Sequence, residues 1–217
     1  MTDKFIKIFD SKFTLDFCNN VITLFNNETH VQNGVSAAGL NREIKDTTDY
    51  KIPSALNDEN DSLQIKDWLE VDSDIHKILS PTIKEYVVEI NNTLHNPNQE
   101  DMYYLGSDEY NDTGHQIQKY KKNEGHYKTY HNDFSIIKGS SFYRVMTYII
   151  YLNTIEEGGE TVFFGNYKIK PTAGSIIIFP AAWTHPHCGN VPVSDDKYII
   201  TGWLYKEHKG SITPDIE

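Results

Sequence analysis

The sequence predicts an α+β protein, mainly β with N-terminal helices, whose core is a sandwich or jelly roll. Three observations predict it. From His115 onward, helical periodicity gives way to short runs rich in β-branched and aromatic residues. Tight-turn signals separate those runs, with no helix between them: Glu157-Gly158-Gly159, Pro171-Thr172-Ala173-Gly174 and Ser194-Asp195-Asp196. The aromatic share is 12%, with 14 Tyr and 10 Phe, and tyrosine suits half-buried strands and cleft walls.

The first third reads as helix and loop. Ser11 or Thr14 can cap a helix whose apolar positions Phe13, Leu15, Phe17, Val21, Leu24 and Phe25 fall near helical spacing. Residues 26–66 are rich in Asn, Asp, Thr and Gly and read as a long, partly irregular connection. A second helix is expected over 72–94, with Ile75, Leu79, Tyr86, Val87 and Ile90 in its apolar stripe. Pro81 lies inside it, so the helix either kinks there or restarts with Ser80 as its cap. Residues 95–113 are polar with embedded tyrosines and read as a surface loop. Strands are expected over 115–120, 143–153, 161–164, 167–170, 175–179 and 197–205. The expected organisation is one structural domain: a helical region, 1–114, packing on a core, 115–206, with a polar tail, 207–217.

The net charge of -11 disfavours a nonspecific grip on nucleic acid or anionic membrane, where a basic patch carries the affinity. Cys18 and Cys188 form no CxxC pair and read as reduced thiols. The amino terminus has no apolar run of signal-peptide length, and no stretch approaches the length of a membrane span. The expectation is a soluble, intracellular (cytoplasmic) protein.

The segment Tyr130-His131-Asn132-Asp133 carries the chemistry. In a strand, side chains at i and i+2 share a face, so His131 and Asp133 can address one ion. A lone HxD also fits a surface ion pair or a polar turn. Thr184-His185-Pro186-His187-Cys188 can bring a third ligand, and strand parity does not choose between His185 and His187. Two histidines and a carboxylate leave three positions open on one side of iron(II). A 2-oxoglutarate keto acid takes two of them and dioxygen the third. Lys197 opens the final strand, where Lys197, Ile199, Thr201 and Trp203 alternate onto one face. A cation inside a small barrel needs an anion, and the distal carboxylate of 2-oxoglutarate would satisfy it. An exposed lysine after the Asp195-Asp196 turn is the plainer reading of Lys197 taken alone.

From about Ile117 to Trp203 the sequence resembles the prolyl 4-hydroxylase-like branch of the iron(II)/2-oxoglutarate oxygenases. The matching pieces, in order, begin with Tyr120, Gly125-His126-Tyr127, His131-x-Asp133 and Arg144-x-x-Thr147. They continue through Tyr151-Leu152-Asn153, Gly158-Gly159-Glu160-Thr161-Val162-Phe163 and Pro171-x-x-Gly174. They close with His187, Pro192-Val193, Lys197 and Gly202-Trp203. The resemblance implies a double-stranded β-helix, with iron held by His131, Asp133 and His187. It also implies Lys197 on the distal carboxylate of 2-oxoglutarate, with Tyr120 and Thr161 in the same pocket; the alternation of the last strand separately lets Thr201 add a hydroxyl there. Its cofactors would be Fe(II), 2-oxoglutarate and O2, with ascorbate as a further expected cofactor.

The implied reaction hydroxylates a C–H bond while 2-oxoglutarate becomes succinate and carbon dioxide, with peptidyl proline in a peptide or protein as the expected substrate. The same chemistry on a free amino acid or on another side chain, such as lysine, is the alternative. A jelly-roll binding module and a cupin-like metal protein compete from other classes. The full ligand set argues against the first, and the cupin preference for three histidines and a glutamate against the second. His30, His76, His95 and His208 are expected in solvent, and His115 and His126 beside the entrance. Arg144 reads either as a substrate or cosubstrate contact, or as an arginine paired with a carboxylate under a sheet edge. Tyr103, Tyr104, Tyr110, Tyr127 and Tyr130 either line a peptide groove or pack. Gly158-Gly159 reads as a tight turn and not a phosphate cradle.

Overall fold

Alternation along the strands builds two cores. The computed structural model describes residues 3–54, 63–95, 110–112, 114–137 and 139–207. In chain order the elements begin with β1 (Lys7–Phe9), α1 (Leu15–Asn26), β2 (Gln32–Asn33), β3 (Lys45–Asp46), β4 (Thr48–Lys51) and α2 (Leu63–Leu94). There follow β5 (Asn111–Asp112), β6 (Gln116–Tyr120), β7 (His126–His131), β8 (Phe142–Tyr151) and β9 (Thr161–Phe163). The series ends with β10 (Tyr167–Ile169), β11 (Ile176–Pro180), β12 (His187–Gly189) and β13 (Lys197–Glu207). One antiparallel sheet runs β1-β11-β8-β13-β6-β4-β2, with β5 also on β13, and the second runs β10-β9-β12-β7-β3. The expectation of a mainly β jelly-roll core with N-terminal helices is borne out.

On β8, Met146, Tyr148 and Ile150 face the helices, while Ile149 and Tyr151 face the second sheet. Likewise Tyr198, Ile200 and Leu204 of β13 pack toward the helices, and Ile199 packs between the sheets. The helix-side core takes Cys18, Val21 and Phe25 of α1 and Trp68, Ile75, Leu79 and Tyr86 of α2. Each such side chain contributes about 1.5–3 kcal/mol on burial. Thr14 caps α1, its hydroxyl accepting from Phe17 N at 3.2 Å, as the sequence anticipates.

Two expectations are corrected. The first third is not only helix and loop, because β1 joins β11 and the 26–66 connection supplies β2, β3 and β4. These strands are two to four residues long and partly polar, too short to show a period. The second helix begins at Leu63 rather than 72, since Trp68 and Val71 extend its buried stripe, and it runs unbroken through Pro81. Most of the expected 95–113 loop, with Tyr103 and Tyr104, and the tail from 208, with His208, lie outside the described residues. No described helix is long and apolar enough to cross a membrane.

Candidate metal centre and its cavity

His131 ends β7 and His187 opens β12, and the two strands pair so that these residues stand opposite one another. Their rings lie 4.4 Å apart between centroids. Asp133 sits beyond the end of β7, so strand parity does not position it. Its amide donates to the Ala181 carbonyl at 3.1 Å instead, turning the carboxylate back between the histidines. His187 Nε2 is 3.6 Å from Asp133 Oδ2, and His131 Nε2 is 3.9 Å from Oδ1. One ligand atom from each of the three lies within 4.8 Å of the others.

The hydrogen bonds fix which atoms face that point. His131 Nδ1 donates to the Thr129 carbonyl at 3.0 Å and His187 Nδ1 to the His185 carbonyl at 3.2 Å. A carbonyl only accepts, so both Nδ1 atoms carry the proton and both Nε2 lone pairs are bare. Thr147 donates to Asp133 Oδ2 at 2.8 Å. Burial and the neighbouring His187 hold His131 down to about 4, so its imidazole is neutral at physiological pH. Tyr127 stacks on the His131 ring at 3.8 Å and 13°, fixing its plane.

These groups line a cavity of about 430 Å³ that also contains Tyr120, Thr161, Lys197, Thr201 and Trp203. Lys197 is 1% exposed, so the reading of an exposed lysine fails. Its amine donates to the Gly159 carbonyl at 2.9 Å and lies 3.9 Å over the Tyr120 ring, neither of which bears a charge. Burial pulls it down to about 7. Gly158 and Gly159, at φ of +74° and +72°, make the tight turn that presents this carbonyl. Tyr120 donates to Gln118 Oε1 at 3.1 Å, and the Thr161 and Tyr151 hydroxyls share a bond of 2.7 Å. Thr201 gives its proton to the Tyr148 carbonyl, leaving only lone pairs toward the cavity. Trp203 Nε1 is buried with no hydrogen-bond partner among the described residues.

Among the described residues Arg144 pairs with no carboxylate, against one of its two readings. It donates to the Tyr205 hydroxyl at 2.8 Å and to the Asp133 carbonyl at 3.2 Å, and lies 3.8 Å over the Trp203 ring. A bulge puts it there. Leu204 pairs with Met146 but Tyr205 pairs with Arg144, so Val145 is an extra residue in β8. The bulge turns Arg144 to the cavity face, which unbroken alternation from Thr147 would deny it.

Other expected positions differ. His115 is not at the entrance: it is 1% exposed on the helix side, where it bonds Tyr148. The signal was present, since His115 shares parity with the core residue Ile117. His76 is only half in solvent, its Nε2 3.0 Å from Asp112. His126 is half-buried and does not line the cavity. His30 is exposed, as expected. His185 is buried but turned away, its Nε2 3.5 Å from Asp3 Oδ1. Thr147 and Gln118 are the site residues that sequence reasoning did not assign.

Residues 115–205 match the 2OG-Fe(II) oxygenase superfamily. An alignment of 111 positions, covering 39% of this chain and only 38% of the relative, is 30% identical to Probable prolyl 4-hydroxylase 10 of Arabidopsis thaliana. Among solved structures, a viral collagen prolyl hydroxylase of Paramecium bursaria Chlorella virus-1, in its 2-oxoglutarate complex, matches with a TM-score of 0.62 at 20% identity. That match covers 94% of this chain and 97% of the viral one. A Trichoplax adhaerens prolyl hydroxylase, in complex with a peptide fragment of the hypoxia inducible factor oxygen degradation domain, matches at 0.63 and 18%. It covers 93% of this chain and 84% of that one. At these identities the structures speak for the fold. The resemblance read from the sequence is borne out: this chain is similar to prolyl 4-hydroxylase-like 2-oxoglutarate oxygenases.

Proposed function

We propose, from the premise of that resemblance, that the chain is an Fe(II)- and 2-oxoglutarate-dependent dioxygenase that hydroxylates proline in a peptide or protein. The observation that carries the reading is one cavity lined both by two bare imidazole nitrogens with a carboxylate and by a buried lysine that makes no salt bridge among the described residues. Two nitrogens and one oxygen suit iron(II), and the donor set leaves positions open for the cosubstrates. His131, Asp133 and His187 are the proposed ligands. When bound, the metal with 2-oxoglutarate and dioxygen supplies the oxidising power that leaves succinate, carbon dioxide and a hydroxylated substrate.

The chain's own residues orient and desolvate. Lys197 holds the distal carboxylate of 2-oxoglutarate, with Tyr120 and Thr161 walling that end and Thr201 filling the strand face beside it. Trp203 offers an indole N–H to an acceptor on a bound molecule. Thr147 occupies Asp133 Oδ2 with a hydrogen bond, which leaves Oδ1 the freer ligand atom. The mouth carries Val35 and Phe134, exposed by 58% and 51%, beside the Arg144–Trp203 stack. Apolar surface with a guanidinium suits an extended peptide, whose carbonyls accept hydrogen bonds and whose proline ring packs flat. The peptide held by the Trichoplax relative supports that choice of substrate.

The test is to incubate the purified chain with iron(II), 2-oxoglutarate and a panel of peptides and free amino acids. Succinate release with one oxygen added to a proline-containing peptide is the expected result. Oxygen added only to a free amino acid or a lysine side chain would move the substrate to the alternative. No turnover of 2-oxoglutarate, with or without substrate, would overturn the enzyme reading.

A further inference from the structure

On the opposite face of the large sheet, a second set of histidines and carboxylates has no role in the cavity chemistry. Asp72 and His76 stand one helical turn apart on α2, His115 leads into β6, and Asp112 belongs to β5. The geometry points to a second metal site here, a zinc clip with Asp72, His76 and His115 as ligands.

The spacings match the ion. Zinc binds nitrogen and carboxylate oxygen at about 2.0–2.2 Å, so the edges of its tetrahedron are about 3.3–3.6 Å. His115 Nε2 lies 3.4 Å from His76 Nδ1 and 3.5 Å from Asp72 Oδ1, and His76 Nδ1 lies 3.7 Å from Asp72 Oδ2. The two edges that meet at His115 Nε2 thus fall at the required length without an ion to draw them together, while His76 Nδ1 lies nearer the second Asp72 oxygen, and one ligand atom from each residue lies within 4.8 Å of the others.

An independent observation concerns Asp72. It is 7% exposed, and its Oδ1 accepts no hydrogen bond from the described residues. A buried carboxylate oxygen without a donor is costly, and a cation between it and the two imidazoles removes that cost. With both His76 nitrogens facing acceptors, one imidazolium stands against two carboxylates, and a divalent ion offsets the remaining negative charge.

The groups behind the ligands are those a zinc site uses. His115 Nδ1 bonds the Tyr148 hydroxyl, which leaves Nε2 for the metal. His76 Nε2 bonds Asp112 Oδ2 at 3.0 Å, the carboxylate–imidazole pairing that orients a ligand ring. Nδ1–H of His76 now donates to the Asp72 carbonyl at 2.9 Å; zinc would replace that proton, which is released to solvent, while Nε2–H stays on Asp112. A path in exists, because His76 is 45% exposed beside a groove lined by Leu79, Ile83, Tyr110 and Asp112. The fourth position is open to water or to Asp112. Such an ion would lock α2 to the start of β6, the strand that carries Gln116, Gln118 and Tyr120 into the cavity.

The test separates this site from the first. The full chain carrying both His131→Ala and His187→Ala is stripped with chelator and titrated with zinc, then with cobalt(II) as a spectroscopic probe. One zinc per chain is expected, with the intense visible absorption of tetrahedral cobalt. Adding Asp112→Asn should weaken zinc about 10- to 100-fold, and adding His76→Gln or Asp72→Asn should weaken it further. Thermal unfolding with and without zinc guards against misfolding. Zinc should raise the Tm of the double variant and leave that of its His76→Gln form unchanged. A double variant that binds no zinc at micromolar concentration, or that keeps it after Asp72→Asn, would overturn the site, whatever the oxygenase assay shows.

Discussion

The Thr147 hydroxyl stands 2.8 Å from Asp133 Oδ2 and donates a hydrogen bond to it. This contact spans the two sheets and orients the only carboxylate of the candidate iron centre. Thr147→Val keeps the shape and removes the donor. Iron(II) or manganese(II) affinity should fall about 10- to 100-fold, with the far-UV spectrum unchanged. An unaltered metal titration would show that Asp133 is positioned by its backbone alone.

His185 and His187 should respond oppositely to removal. His187 faces His131, whereas His185 packs against Phe5 with its Nε2 toward Asp3. His187→Ala is expected to abolish 2-oxoglutarate turnover and to weaken metal binding sharply. His185→Ala should keep the metal and most uncoupled turnover. Metal content and succinate release decide between them, and the reverse pattern would transfer the third ligand to His185.

Lys197→Ala should raise the 2-oxoglutarate requirement roughly ten- to a hundredfold or more, the equivalent of a charge-assisted bond of about 1.5–3 kcal/mol. Metal binding should be nearly intact. Lys197→Arg should rescue only in part, since a planar fork does not fit where an amine meets Gly159 O at 2.9 Å. A half-saturating concentration that does not move would remove Lys197 from the pocket.

The same lysine sets a pH dependence. Burial pulls its folded value down to about 7, from an ordinary 10.5. The unfolded chain therefore holds the proton more tightly, and burying Lys197 costs most below about 7 and nothing above about 10.5. Ligand binding runs the other way, because only the protonated amine attracts a carboxylate. Affinity for 2-oxoglutarate, measured with manganese(II), should be level below about pH 7 and weaken as pH rises beyond it. Calorimetry at pH 8 in two buffers of different ionisation enthalpy should detect proton uptake on binding. Binding without uptake would mean that Lys197 is not the partner.

Gly202 pairs with Tyr148 across the sheet, and a Cβ added to it would lie 2.0 Å from the Tyr148 hydroxyl. Gly202→Ala must push that ring aside and break its bond to buried His115. Overpacking of this kind costs about 1–3 kcal/mol. A lowered Tm with little change in metal affinity at the His131–Asp133–His187 centre is the expected signature, read by thermal denaturation. A Tm equal to wild type would show that the ring has room to move.

The long strands were legible because one face meets helices and the other the second sheet, which writes a period of two into β8, β11 and β13. Lys197, Ile199, Thr201 and Trp203 do share the cavity face for that reason. The short edge strands β2 and β3 were not legible, since two residues cannot display a period. Asp133 was assigned to a strand face, yet it lies past the strand and is set by a backbone bond to Ala181, a long-range contact that spacing does not encode. The position of Arg144 was hidden in the same way, because a bulge reverses parity without leaving a residue type as its mark.

That bulge has an evolutionary consequence. Val145 and Met146 both turn to the helix side, and for that reason Arg144 lands on the cavity face. Deleting Val145, a single-codon event, would close the ladder between β8 and β13 and still leave Arg144 opposite Tyr205 at the mouth, with the Thr147–Asp133 contact where it is. The extra residue can therefore be lost in descent without moving the guanidinium.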